Sequence, residues 1–163
     1  MELSDGEILL RPLDESDADA LVVGLNDPKI ERFMTLIPVP YTAEHAAGWT
    51  ERCRQVWEDD SSHPFAITDA ATGRLLGSIE VFPGDGSIGY WVAADSRGRG
   101  VATRALRLVC AAHPHLRLWL VTHPENLASQ RVAEKAGFTR VGTVPIDTPF
   151  RDGTTDAVRF ELD

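Results

Sequence analysis

The chain of 163 residues reads as one α/β domain, 1–163, built on a mixed, mostly antiparallel central sheet of about seven strands with helices on both faces. Two observations carry this reading. Residues 64–94 alternate apolar and polar positions between tight turns, the pattern of an antiparallel meander. On either side, segments with apolar residues three and four apart are interleaved with short apolar runs, as amphipathic helices laid against a sheet would be. With 43% hydrophobic and 25% charged residues, the chain can bury a core of this size.

"EILLRPL" is the first expected strand, followed by "DESDADALVVGLND" as a helix with acids in its first turn and Pro28 just past its end. A short helix includes "KIERFM". "TAEHAAGWTERCRQVWED" starts at Thr42, a good N-cap, and lines up Ala46, Trp49, Cys53 and Val56. The meander is "PFAITDA", "RLLGSIEVF" and "GSIGYWVAA", with "ATG" and "PGDG" as its turns. "GVATRALRLVCAA" is a helix with Val101, Ala105, Leu108 and Val109 on one stripe, stopped by Pro114. "LRLWLVT" suits a buried strand. "NLASQRVAEKAGF" is a helix capped by Asn126 and ended by Gly137, with Phe138 able to pack back on it. "FTRVGTVP" and "TDAVRFEL" complete the sheet.

A formal net charge of −9 argues against nucleic acid as a partner, because that binding neutralises phosphates with a basic surface, and it suits a cationic substrate such as an amine. No apolar stretch approaches the roughly 20 residues that span a bilayer, and the first residues lack a basic region followed by an apolar run. The expectation is a cytoplasmic protein with no membrane partner. Cys53 and Cys110 show no metal-ligand spacing and read as small buried hydrophobes. His45, His63, His113, His115 and His123 form no HExxH, so no metal site is expected. Trp49, Trp57, Trp91 and Trp119 read as packing residues.

"DSRGRGVATRAL", 95–106, joins a strand ending near Val92 to a helix starting near Gly100. Free N–H groups at a first helical turn cradle an anion if no side chain blocks its approach. Gly98 and Gly100 remove the obstruction, and Arg97, Arg99 and Arg104 are candidates for charge-assisted bonds to phosphate. A P-loop is excluded because GxxxxGK[ST] is absent, and a Rossmann site because "GRGVAT" lacks the third glycine.

The spacing of Arg97, Gly100 and Ala102 resembles the pyrophosphate loop of the GNAT N-acetyltransferases, which reads Gln/Arg-x-x-Gly-x-Gly/Ala. "IGYWV" lies just before it, where that family's pantetheine-binding strand falls. Asn126, Ser129, Glu134, Lys135, Gly137 and Phe138 match the signature NxxSxxxxEKxGF. "PVPYTAEHAAGW" resembles the branch that acetylates ribosomal-protein N-termini. The resemblance covers nearly the whole chain. It implies acetyl-CoA as donor and an amine, on a peptide or a small molecule, as acceptor. It also implies direct attack in a ternary complex, and a homodimer is plausible on the same ground.

Residue by residue, the resemblance implies a CoA site at Trp91, Val92, Arg97, Gly98, Arg99, Gly100, Val101, Ala102, Asn126 and Ser129, with a main-chain N–H near Trp91 or Val92 facing the oxyanion. Ser129 is the expected proton donor to the departing thiolate, since the helix from Asn126 lacks the tyrosine that many members use. The alternative is that it completes its helical turn or bonds a CoA amide. Branch members often carry a glutamate where this chain has Ser87. Glu80 is therefore the first candidate general base, with Asp147 or a water as alternatives. Acceptor contacts are expected in "RFMTLIPVPY" and "PIDTPFRDG", at Phe33, Tyr41 and Asp147, with Asp152 adding negative charge. The departure at Ser87 also leaves open a non-catalytic acyl-CoA-binding module.

Overall fold

The computed structural model describes residues 1–163. Its strands are β1 (Leu3–Ser4), β2 (Ile8–Pro12), β3 (His63–Asp69), β4 (Leu75–Phe82), β5 (Ser87–Val92), β6 (Trp119–Thr122), β7 (Thr139–Pro145) and β8 (Asp156–Glu161). Its helices are α1 (Ala18–Leu25), α2 (Pro28–Phe33), α3 (Ala43–Glu58), α4 (Val101–Ala112) and α5 (Leu127–Lys135). One sheet runs β1-β2-β3-β4-β5-β6-β8-β7. The eighth strand is β1, two residues pairing with Leu9 and Leu10 and too short to register as a period.

Alternate residues of the sheet feed two cores. Phe65, Ile67, Ile79 and Val81 pack with Leu106 and Val109 of α4 and with Phe160 of β8. Ala66 and Trp91 face the other way, onto Leu21, Leu25, Ile30, Ala46 and Cys53 of α1–α3. The period-two pattern thus sends successive residues to opposite helical layers. Trp49 and Val56 are only half-buried on α3, where Thr50 joins the buried stripe. Cys110 is only partly buried, unlike Cys53; burial pushes both free thiols up to about 12.

The caps largely follow the sequence. Thr42 Oγ1 accepts from His45 N–H at the start of α3, and Asn126 Oδ1 accepts from Ser129 N–H at the start of α5. Gly137 has φ +97° after α5, and Phe138 is buried beyond it. The first helical region differs from expectation. A capping box on Asp14 forms a 3-10 turn, Glu15–Asp17, before α1. Pro28 opens α2 instead of merely following α1, because its fixed φ and missing N–H suit the first helical position and Asp27 caps the turn.

All strand pairs are antiparallel except β5 with β6, which are parallel and meet at a single register pair, Ser87–Trp119. Gly86 sits at this meeting point: its carbonyl accepts from Trp119 N–H at 3.0 Å, its φ is +80°, and a Cβ there would lie 2.1 Å from Arg117 O. Beyond this pair the strands have no further pairing, and the β6-facing edge of β5 has no strand partner up to Val92. The result is a V-shaped notch at the C-terminal ends of two parallel strands, next to the start of α4.

Candidate active site

The polarity of the notch wall follows from strand geometry. Successive N–H groups of a strand point to opposite edges. Ala93 N–H donates to Leu76 O of β4 at 2.8 Å, so Val92 N–H points into the notch and Trp91 N–H points toward β4. Val92 O, on the same edge, accepts from Arg97 Nε at 3.1 Å. The Trp91 ring is buried on the far side of the sheet, against Gly24 of α1. Of the two residues expected near the oxyanion, Val92 presents the N–H and Trp91 anchors the strand.

Below the notch, Gly98 (φ +75°) and Gly100 (φ +76°) turn the chain into α4, and a Cβ at either would meet open space. The N–H groups of Gly98, Arg99, Gly100, Val101 and Ala102 have no acceptor within the fold, and Gly100 caps α4 without a side chain. Five donors at the positive end of a 12-residue helix form an electropositive cradle of the kind that holds phosphate. Arg97 holds the cradle's shape: besides Val92 O, its guanidinium reaches Asp27 Oδ2 at 3.2 Å. Burial works to raise the Asp27 carboxyl, but the Lys29 N–H and Arg97 outweigh it and hold the group below its usual value. The Arg97 side chain therefore faces the α2 cap, not the cradle. Arg99 is exposed beside the cradle. Arg104 pairs with Asp5 at 2.6 Å and Glu7 at 3.1 Å. With Arg107 and Lys135 these two arginines line a groove of about 480 Å³, a cationic strip on an acidic chain.

On the α4 and α5 side of the sheet, Ser129 lies in the first turn of α5. Its Oγ is 2.8 Å from the phenol oxygen of Tyr90, which has Ser129 O as a second, longer neighbour at 3.3 Å, so the one phenol proton has two acceptors within reach. Burial pushes the Tyr90 phenol up to about 12, while the Ser129 contact works in the opposite direction.

Glu80 faces the other side of the sheet. Its Oε1 accepts from Arg52 Nη1 at 2.9 Å and Ser62 Oγ at 2.7 Å, and the residue is nearly buried. Ser129 and Glu80 thus approach the sheet from opposite faces. Tyr41 is buried in the α1–α3 core, leaving little of its ring for a ligand, and burial pushes its phenol up to about 12. Asp147 is exposed on the β7–β8 loop. Phe33 packs on His123, with ring centroids 5.1 Å apart, and Phe150 closes the other side at 4.6 Å. His123 Nδ1 accepts Glu125 N–H at 2.9 Å, so the ring proton sits on Nε2 and points to Asp152 Oδ2 at 2.8 Å. Hydrogen bonds from Thr154, first its N–H and then its hydroxyl, together with His123 bring the Asp152 carboxyl down to about 2. The ligand atoms of His123, Glu125 and Asp152 fall within 4.8 Å of one another, but each residue is already engaged, Glu125 with Arg32.

The family profile described as Acetyltransferase (GNAT) domain matches residues 7–139. The chain belongs to the GNAT acetyltransferase family. The Bacillus subtilis (strain 168) protein named Probable N-acetyltransferase YjcK is 31% identical over 149 residues, covering 83% of this chain and 82% of that protein. The fold superposes on RimL, a ribosomal L7/L12 alpha-N-protein acetyltransferase in complex with coenzyme A. The TM-score is 0.83 at 18% identity, covering 95% of this chain and 93% of that one. It also superposes on a ribosomal-protein-S5-alanine acetyltransferase from Vibrio fischeri, with a TM-score of 0.83 at 15% identity, covering 99% and 95%. This GNAT acetyltransferase contains no helix long and apolar enough to cross a membrane. Two of its site features escape sequence reading. One is Tyr90, whose place within "GYW" signals no role of its own. The other is Arg151, whose guanidinium donates to the carbonyls of Glu31, Met34, Thr35 and Ile37 and so ties the β7–β8 loop to the segment after α2.

Proposed function

We propose that this acetyltransferase uses acetyl-CoA as donor and the α-amine of a peptide as acceptor. The observation that carries the donor half is the notch with its cradle: an unpaired strand edge for an extended amide-bearing arm, ending at five free N–H groups for a pyrophosphate. The expected CoA residues therefore act largely through main chain, from Val92 and from Gly98 to Ala102, while Arg97 and Trp91 fix the frame and Asn126 caps the helix that presents Ser129. The amine nitrogen attacks the thioester carbonyl, the oxyanion is met by Val92 N–H, and Ser129 protonates the leaving sulfur.

The acceptor half rests on proton chemistry. Only a neutral amine attacks, and the side chains around the site are poorly placed to deprotonate one: Glu80 Oε1 already accepts two hydrogen bonds and both His123 nitrogens are engaged. At pH 7.5 about a quarter of an α-amine of pKa ~8 is neutral, against about 0.1% of an alkyl amine of pKa ~10.4, a roughly 200-fold advantage. A water between Glu80 and the amine suffices for the rest. The acidic chain favours cationic acceptors, and the names of the two structural relatives, both protein acetyltransferases, support the same class.

The test is CoA thiol release with three acceptors: a lysine-free peptide with a free N-terminus, the same peptide blocked at its N-terminus and carrying one lysine, and a simple alkyl amine. The free N-terminus should react fastest. Faster turnover of the blocked lysine peptide or of the alkyl amine overturns the α-amine assignment.

A further inference from the structure

We infer that Tyr90 is a positioning residue that aims the Ser129 hydroxyl at the departing sulfur, an inference that rests on Ser129 being the proton donor as proposed above. Tyr90 comes from β5, whose next residues, Trp91 and Val92, form the notch wall, while Ser129 comes from α5. The phenol is the one protein group hydrogen-bonded to Ser129 Oγ, at 2.8 Å.

A serine hydroxyl has one proton, two acceptor sites and a free rotor. Left alone in the first turn of a helix, it turns toward whichever carbonyl or water is nearest. Tyr90 removes that freedom. We assign the phenol proton to the shorter contact, Oγ at 2.8 Å, over Ser129 O at 3.3 Å; with Oγ accepting, the serine proton is excluded from the Tyr90 direction and is left to point away from it. The phenol keeps its own proton up to about 12, because burial disfavours its anion, so it stays a donor at every pH at which amines are acylated. A donated hydrogen bond also polarises the serine O–H and makes it a better acid.

The protons balance without an outside donor. As the C–N bond forms and the C–S bond breaks, the electron pair of the latter goes to sulfur, which takes the Ser129 proton. The amine nitrogen loses one proton on becoming an amide, and this returns through solvent to Ser129 Oγ. Tyr90 ends the cycle as it began, a neutral phenol.

The test is a double-mutant cycle on Tyr90→Phe and Ser129→Ala, reading kcat, the KM for acetyl-CoA and the melting transition. Tyr90→Phe retains the ring, so the fold should hold. Releasing the rotor among three staggered orientations costs about threefold, and lost polarisation brings the fall in kcat to about tenfold, with KM unchanged. The double variant should be no slower than Ser129→Ala alone, because Tyr90 acts only through that hydroxyl. Two results overturn the inference and leave the proton-donor reading standing: an unchanged kcat in Tyr90→Phe beside a slow Ser129→Ala, or losses that multiply in the double variant. An unchanged kcat in Ser129→Ala overturns the proton-donor reading itself, and the role of Tyr90 with it.

Discussion

Gly77→Ala tests whether β5 holds the reacting carbonyl. Gly77 stands on β4 opposite Val92, and a Cβ there would fall 2.2 Å from Trp91 O and 3.0 Å from Val92 Cα. Both obstacles are main chain, so no side chain can swing aside. A comfortable contact is ~3.4 Å, so β5 must move by about 1.2 Å. It can only yield toward the notch, since β4 is held on its other edge by β3. That displaces Val92 N–H from the place proposed for the oxyanion. Misplacement of about 1 Å costs on the order of 100-fold in rate, while overpacking removes about 1–3 kcal/mol of stability. Gly89→Ala is the control, two residues before Trp91 on β5, where a Cβ meets nothing within 4 Å. CoA thiol release at saturating substrates reads kcat, and urea unfolding reads stability. Gly77→Ala should lose about 100-fold in kcat and Gly89→Ala less than about twofold. A folded Gly77→Ala protein that keeps its kcat would show that β5 does not carry the oxyanion contact.

Three further changes probe other parts of the site. Gly100→Glu puts a carboxylate and a side chain at φ +76° into the cradle, so calorimetry should find acetyl-CoA affinity at least about tenfold weaker; unchanged affinity removes the pyrophosphate from this loop. Arg151→Ala frees the segment after α2 from the β7–β8 loop and should raise the acceptor KM several-fold, about 1 kcal/mol for removing these exposed hydrogen bonds, with the KM for acetyl-CoA unchanged. Equal shifts in both constants would make Arg151 a general stability residue. Asp152, depressed from 3.8 to about 2, stabilises the fold fully above its unfolded value and loses that contribution as pH falls through about 2. Asp152→Asn should therefore destabilise at pH 6 and converge with the parent protein toward pH 2 in denaturant titrations, and a gap that persists at low pH would contradict the ionic origin.

How much of this is legible before folding depends on the range of each interaction. The meander, the α4 turn and the caps of α3 and α5 are encoded within a few residues, by period-two alternation, by glycines that adopt positive φ, and by Thr42 and Asn126 reaching N–H groups three positions on. Pro28 misleads because the same residue serves just after one helix and at the first position of the next; only the Asp27 cap decides between them. A mixed sheet is legible from the order of elements, but the single parallel contact of β5 with β6 is not, since it forms where Gly86 comes close to Arg117 O across 31 residues of chain.

The groups proposed to handle or direct protons are harder still, because a strand residue's chemistry depends on which face it takes. Glu80 and Tyr90 sit on paired strands, and shifting either strand by one position would turn its residue over and put both on one face. In the observed register Glu80 turns to Arg52 on α3 and Tyr90 turns to Ser129 on α5. Looking for a tyrosine on the serine's own helix therefore finds none, although a phenol arrives from 39 residues away. Arg151 is invisible for a different reason. Its four acceptors are main-chain carbonyls, present whatever the side chains at Glu31, Met34, Thr35 and Ile37, so no residue pattern in that segment reports the contact. The proposed donor site is built from glycines and free N–H groups that a short motif captures. The loops expected to face the acceptor are joined by contacts whose partners lie more than a hundred residues apart.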